Sequence, residues 1–243
     1  QIIYFLYGSR MLSAMSQEQP TALVSGGPAN RWVLETGRVQ IDPVKMLRIH
    51  GYKNLEKVRP VIRKAADDIA ERAAGLMMPV VHARRIDVSS YDHERLTLVD
   101  GTVFDDVAFE HVLDGARTVV VIVMTVGTAL DEAVSASMDD NTFEPLDALF
   151  LETAGWLGIE AATKVFVRDL QDRTKDEGVR VTRRLGPGYQ YKVGGESVNW
   201  PLEQQRKLFD VFEGEELSVT LMESCAMLPK MSRSGIYGLT PVN

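Results

Sequence analysis

The side chains best suited to hold a ligand are concentrated at 183–205, "RRLGPGYQYKVGGESVNWPLEQQ". Arg183 and Arg184 supply fixed positive charge, and Gly186-Pro187-Gly188-Tyr189 makes a tight turn ending in an aromatic ring. Gly194-Gly195 is a second loop, and Trp200-Pro201 opens a helix. A guanidinium grips a carboxylate with two parallel N–H donors, glycine lets backbone approach closely, and an aromatic face attracts a cation or a flat ring. Charge, backbone tightness and aromatic faces in one segment describe a surface for a ligand. Taken singly, an arginine pair at a strand end is usually solvated, and Gly-Pro-Gly-Tyr is often only a turn.

Other chemistries have weaker support. Ser224 and Cys225 in "MESCAM" have no base near them in sequence, so a nucleophile is not indicated. His50, His82, His93 and His111 show neither i,i+4 spacing nor clustering with acids, so they read as surface or core histidines rather than metal ligands. Gly127 in "VMTVGTALDEA" is a lone glycine and reads as a structural turn rather than a phosphate site. The glycine-rich dinucleotide, phosphate-loop and Gly-x-Ser-x-Gly patterns do not occur.

The elements that must position these residues follow from periodicity and punctuation. Asp42-Pro43 caps a short helix that Gly51 stops, and apolar residues at helical spacing predict a second helix over about 55–75. "VVHARRIDV" and "RLTLV" read as strands, with Asp100-Gly101 turning a hairpin, and a short helical stretch lies near 107–113. "TVVVIVMT" at 118–125 is a continuous β-branched run, the pattern of a central strand covered on both faces. Thr125-Val126-Gly127 turns into a helix from Ala129. A long helix over about 145–172 buries Leu149, Ala154, Leu157, Ala161, Val165 and Leu170. "VRVTRRL" is expected as a strand, "PLEQQRKLFDVF" as a helix and "LSVTLME" as a strand. Strands and helices alternate only partly, so the expected fold is α+β, with a twisted, mostly antiparallel or mixed sheet packed with helices.

Composition sets the class. With 45 % apolar and 25 % charged residues in 243, the chain has the balance of a soluble globular protein with one main core. Its net charge of −7 argues against nucleic acid as a general partner. A single cysteine excludes a disulfide framework and a cysteine-ligated cluster within one chain, and points to a cytoplasmic home. The opening "QIIYFLYGSRML" is shorter than the roughly 20 residues of a spanning helix and lacks a basic n-region, so no membrane partner is expected. It reads as an upstream extension, with Met11 or Met15 as alternative starts, and 16–30 as a flexible lead-in. The expected organisation is a lead-in over 1–40 and one domain over 41–243.

Three stretches in order, "VMTVGTALDEA" (123–133), "RRLGPGYQ…NWPLEQQRKLF" (183–209) and "SVTLMESCAMLPKMSRSGIYG" (218–238), carry a resemblance. Together they resemble the activation (reactivation) domain of cobalamin-dependent methionine synthase, most closely its stand-alone relatives. The likeness runs from about Ile41 to Gly238. In that family the domain presents S-adenosylmethionine to a corrinoid in the inactive cob(II) state, and one-electron reduction with methyl transfer restores methylcobalamin.

The resemblance implies that Arg184, Gly188 and Tyr189 occupy the Arg-x-x-x-Gly-Tyr positions lining the S-adenosylmethionine site. It also implies that Glu160 is the helical glutamate of that site. Cobalamin would be carried by a partner, a corrinoid-dependent methyltransferase. Electrons would come from an external donor such as flavodoxin or ferredoxin. A non-catalytic docking or cap module for a corrinoid protein is the alternative. Relative to the stand-alone proteins, "KVGGESVN" (192–199) is an insertion, placed to cover the site as a lid or to displace it.

Overall fold

The computed structural model describes residues 23–26, 30–139, 145–193 and 195–242. The N-terminal apolar run, most of the expected lead-in and Gly194 lie outside the described residues. Strands β1 (Leu23–Gly26) and β2 (Arg31–Glu35) come first, followed by helices α1 (Pro43–Ile49) and α2 (Pro60–Leu76). The long strand β3 (Val80–Asp92) leads to β4 (Arg95–Leu98), β5 (Val103–Phe104) and the short α3 (Phe109–Val112). Then come β6 (Thr118–Thr125), α4 (Ala129–Asp139), α5 (Pro145–Thr174) and β7 (Val179–Val181). A hairpin of β8 (Gln190–Val193) and β9 (Glu196–Asn199) precedes α6 (Gln205–Asp210). The last strands are β10 (Thr220–Leu221), β11 (Met227–Leu228) and β12 (Ser232–Pro241).

The main sheet runs β1-β2-β3-β6-β12-β7, with β4 and β5 extending from β3. Every strand pair described in it is antiparallel. The fold is therefore α+β with an antiparallel sheet. β6 lies between β3 and β12, and alternate residues serve two cores, as its unbroken β-branched run implies. Val120, Ile122 and Met124 pack under α1, α2 and α5, while Val119, Val121 and Val123 face a second core with Phe104, Phe109 and Trp200. Trp200 meets the two phenylalanines edge-on at 5.8 and 5.4 Å, the arrangement ring quadrupoles favour.

Several expectations need correction. The stretch up to residue 40 is not merely a lead-in: β2 pairs with β3 from Arg31↔Arg84 to Glu35↔Val80, and Leu34 is fully buried. α2 starts at Pro60 rather than near 55, because proline favours the first helical position and Arg59 before it is extended. Leu55–Lys57 forms a separate 3-10 turn. Leu149, expected inside, is 47 % exposed; Phe150 and Leu151 take the buried positions. Only Thr220–Leu221 of "LSVTLME" is strand, and "VRVTRRL" is strand only over Val179–Val181. By contrast Ser232–Pro241, not anticipated as a strand, is central to the sheet.

His82 on β3 is buried, and its Nε2 accepts the Ser218 N–H at 3.2 Å, which requires that nitrogen to be unprotonated. Burial holds its pKa below the ordinary 6.5, against a smaller opposing pull from Glu215. The unfolded chain therefore takes up the proton first as pH falls. Stability from the neutral ring is complete above about pH 6.5 and declines below it. Denaturant midpoints should drop between about pH 7.5 and 5.5, and less steeply in His82→Gln. An equal drop in both proteins would contradict this role.

Candidate functional site

The residues with ligand chemistry converge where α5 crosses the β12–β7 side of the sheet. α5 contributes Trp156, Glu160, Thr163 and Val167, spaced by four, three and four residues so that they share one helix face. β12 contributes Arg233 and Tyr237, four apart and thus on one face of the strand. The segment leaving β7 contributes Thr182, Arg183 and Arg184, and Tyr189 follows the Gly-Pro-Gly turn. Together they line a cavity of about 380 Å³, within the range of small-molecule sites.

Three of the four expected site residues, Glu160, Arg184 and Tyr189, therefore meet in one cavity. Gly188 does not line it. Its φ of +79° forms the turn, its N–H donates to Trp200 O at 2.7 Å, and this presents Tyr189. The Arg184 guanidinium lies 4.8 Å from the centre of the Tyr189 ring, a cation–π contact, and its Nη1 donates to Ser234 O. Glu160 accepts from Arg233 Nη2 at 2.6 Å, and Arg233 Nη1 donates to Thr163 Oγ1 at 2.8 Å. One arginine thus ties α5 to β12 across the cavity floor. Arg183, exposed on its rim, has no hydrogen-bond or ion-pair partner for its guanidinium among the described residues.

Sequence reasoning missed Trp156, Thr163, Arg233 and Tyr237. The α5 pair carried a signal, a tryptophan four before Glu160 and a threonine three after it. The β12 pair carried none while its strand went unrecognised. Tyr237 is 2 % exposed, and its buried hydroxyl has no hydrogen-bond partner among the described residues. Burial pushes its pKa up to about 12; the cations Arg184 and Arg233 oppose this, and Glu160 adds to it. The phenol is neutral at physiological pH and retains its proton to donate.

The "KVGGESVN" insertion folds into the β8–β9 hairpin, registered from Gln190↔Asn199 to Val193↔Glu196. Tyr191 turns inward, and its hydroxyl accepts from Gly186 N at 2.6 Å and donates to Gly186 O at 2.9 Å. None of the hairpin's described side chains lines the α5 cavity. Tyr191→Phe would leave both Gly186 groups unpaired and should lower the unfolding free energy by about 1–3 kcal/mol. An unchanged urea midpoint would show that the hydroxyl is not what secures the turn.

An antiparallel α+β sheet crossed by a long helix, with a ligand-sized cavity between helix and sheet, defines the structural class. Among solved structures, this arrangement is similar to the crystal structure of the MetH reactivation domain bound to AdoHcy, with a TM-score of 0.59 at 14 % identity over 88 % of this chain and 79 % of that one. The likeness shows that the two share a fold. No protein-family model matches the sequence, and no curated protein does. Among the described residues no group of acids, histidines and cysteine could hold a metal ion, and no helix is long and apolar enough to cross a membrane.

Proposed function

We propose that this chain binds S-adenosylmethionine in the α5 cavity and serves as a reactivation module for a corrinoid-dependent methyltransferase, with methionine synthase as the leading candidate. The observation that carries the reading is the convergence of Glu160, Arg184 and Tyr189 with Trp156, Arg233 and Tyr237 in one cavity. Their chemistry fits the ligand's groups. Arg183 and Arg184 suit the amino-acid carboxylate, Glu160 can accept from the ammonium or the ribose hydroxyls, and Trp156 or Tyr189 offers a face to adenine or the sulfonium. The unpartnered Tyr237 hydroxyl has a hydrogen bond to give.

In this reading the partner carries cobalamin, and an external donor of the flavodoxin or ferredoxin class supplies one electron. The reduced corrinoid would take the sulfonium methyl, and S-adenosylhomocysteine would be left. What this chain's residues would contribute is position rather than acid–base chemistry.

Calorimetric titration with S-adenosylmethionine tests the reading. Saturable one-site binding is expected, and no heat at about millimolar ligand, a free energy near −4 kcal/mol, would refute it. A second reading, a docking or cap module that has lost the ligand, draws on one observation: Glu160 and Arg184 already have partners within the protein. Silence in the titration together with co-purification of a corrinoid protein would select it.

A further inference from the structure

We infer that a second cavity, which shares Thr182 and Arg183 with the first, is a binding site for an organic phosphate of nucleotide size. This cavity, of about 570 Å³, lies between the α3 end and the β7 edge. Arg180, Arg183 and Lys192 line it against one acid, Asp114. Asp114 is already paired with Arg180, so the guanidinium of Arg183 and the ammonium of Lys192 remain without ion-pair partners among the described residues. Three cations to one carboxylate leave a local charge of +2 in a chain whose net charge is −7.

A like-signed cluster in a recess focuses field on an anion. Guanidinium forks match phosphate oxygens bidentately, while lysine adds a point charge. The remaining wall decides between a bare ion and an organic ligand. The half-buried Val181, beside the edge of the buried Val112, presents apolar surface that inorganic phosphate would leave uncovered, and the volume falls in the range of sites for small organic molecules. Lys192 belongs to the β8–β9 hairpin, which gives that insertion a role outside the first cavity.

The inference does not depend on the S-adenosylmethionine reading, and the probe keeps the two apart. UDP, which lacks adenine, should bind the purified protein in calorimetry, at least about tenfold more tightly than inorganic phosphate. Lys192→Glu and, separately, Arg180→Gln should each weaken UDP by about tenfold or more, the loss of one charge-assisted contact. Trp156→Ala, in the other cavity, should not change it. The inference is overturned if UDP gives no binding at about millimolar concentration, if phosphate binds equally well, if both charge variants retain full affinity, or if an acidic peptide binds where UDP does not.

Discussion

Arg184→Ala is expected to weaken S-adenosylmethionine binding about a hundredfold or more while leaving the protein folded. The guanidinium has two roles in the cavity wall: it supplies a cation, and it lies over the Tyr189 ring at 4.8 Å. Truncation removes the charge and releases the ring, so electrostatic grip and aromatic surface are lost together. The fold survives because Leu185, next in sequence, keeps both backbone bonds to Ile236, at 2.8 and 2.7 Å. Arg184→Lys should recover little, since an ammonium restores charge but neither the planar stack nor the fork. Calorimetry beside circular dichroism reads both parts. Full affinity in the alanine variant would remove Arg184 from the site.

Gly235→Ala should have the larger effect on stability, about 3 kcal/mol or more. Gly235 has φ +155°, and a Cβ there would lie 2.5 Å from Leu185 O and 2.9 Å from Arg184 Cγ. The first neighbour is backbone and cannot rotate away. Relief requires opening the Leu185↔Ile236 bridge that holds the Arg183–Tyr189 segment to β12. The added strain of an unfavourable backbone region acts in the same direction. Urea unfolding should show the loss, and ligand affinity should fall with it as Arg184 is displaced. A variant within about 1 kcal/mol of the parent would mean that the strand can shift and that the close approach is not essential.

The same glycine explains what the sequence concealed. "SRSGIYGLTP" does not stand out as a strand because Ser232, Ser234, Gly235 and Gly238 interrupt any alternation of large apolar residues. In the fold the two glycines are required by close approach: a Cβ on Gly238 would meet Ala116 Cβ at 2.7 Å and Leu113 O at 3.0 Å. Strand identity here is set by partners distant in sequence, which local pattern does not carry. β6 was legible for the opposite reason, since eight β-branched or long apolar residues admit few alternatives. The Asp100-Gly101 hairpin was legible too, with Gly101 at φ +89° and Asp100 Oδ1 accepting the Thr102 N–H at 3.0 Å.

For the site, the family resemblance supplied Glu160, Arg184, Gly188 and Tyr189, three of which reach the cavity. Arg233 escaped because its role depends on β12 crossing α5, although its side chain, paired with Glu160, is only 10 % exposed. The hairpin at 190–199 was visible only as unmatched sequence. Its purpose in the fold is carried by the Tyr191 hydroxyl folding back on Gly186, a contact five residues apart that composition does not encode.

The central claim is that S-adenosylmethionine occupies the cavity beneath α5. A crystal structure of the protein grown with S-adenosylmethionine tests it most directly. The account predicts ligand density between Trp156, Glu160 and Tyr189, with the carboxylate within hydrogen-bond reach of Arg183 or Arg184. Ligand density elsewhere on the protein, with this cavity holding only solvent, would contradict it.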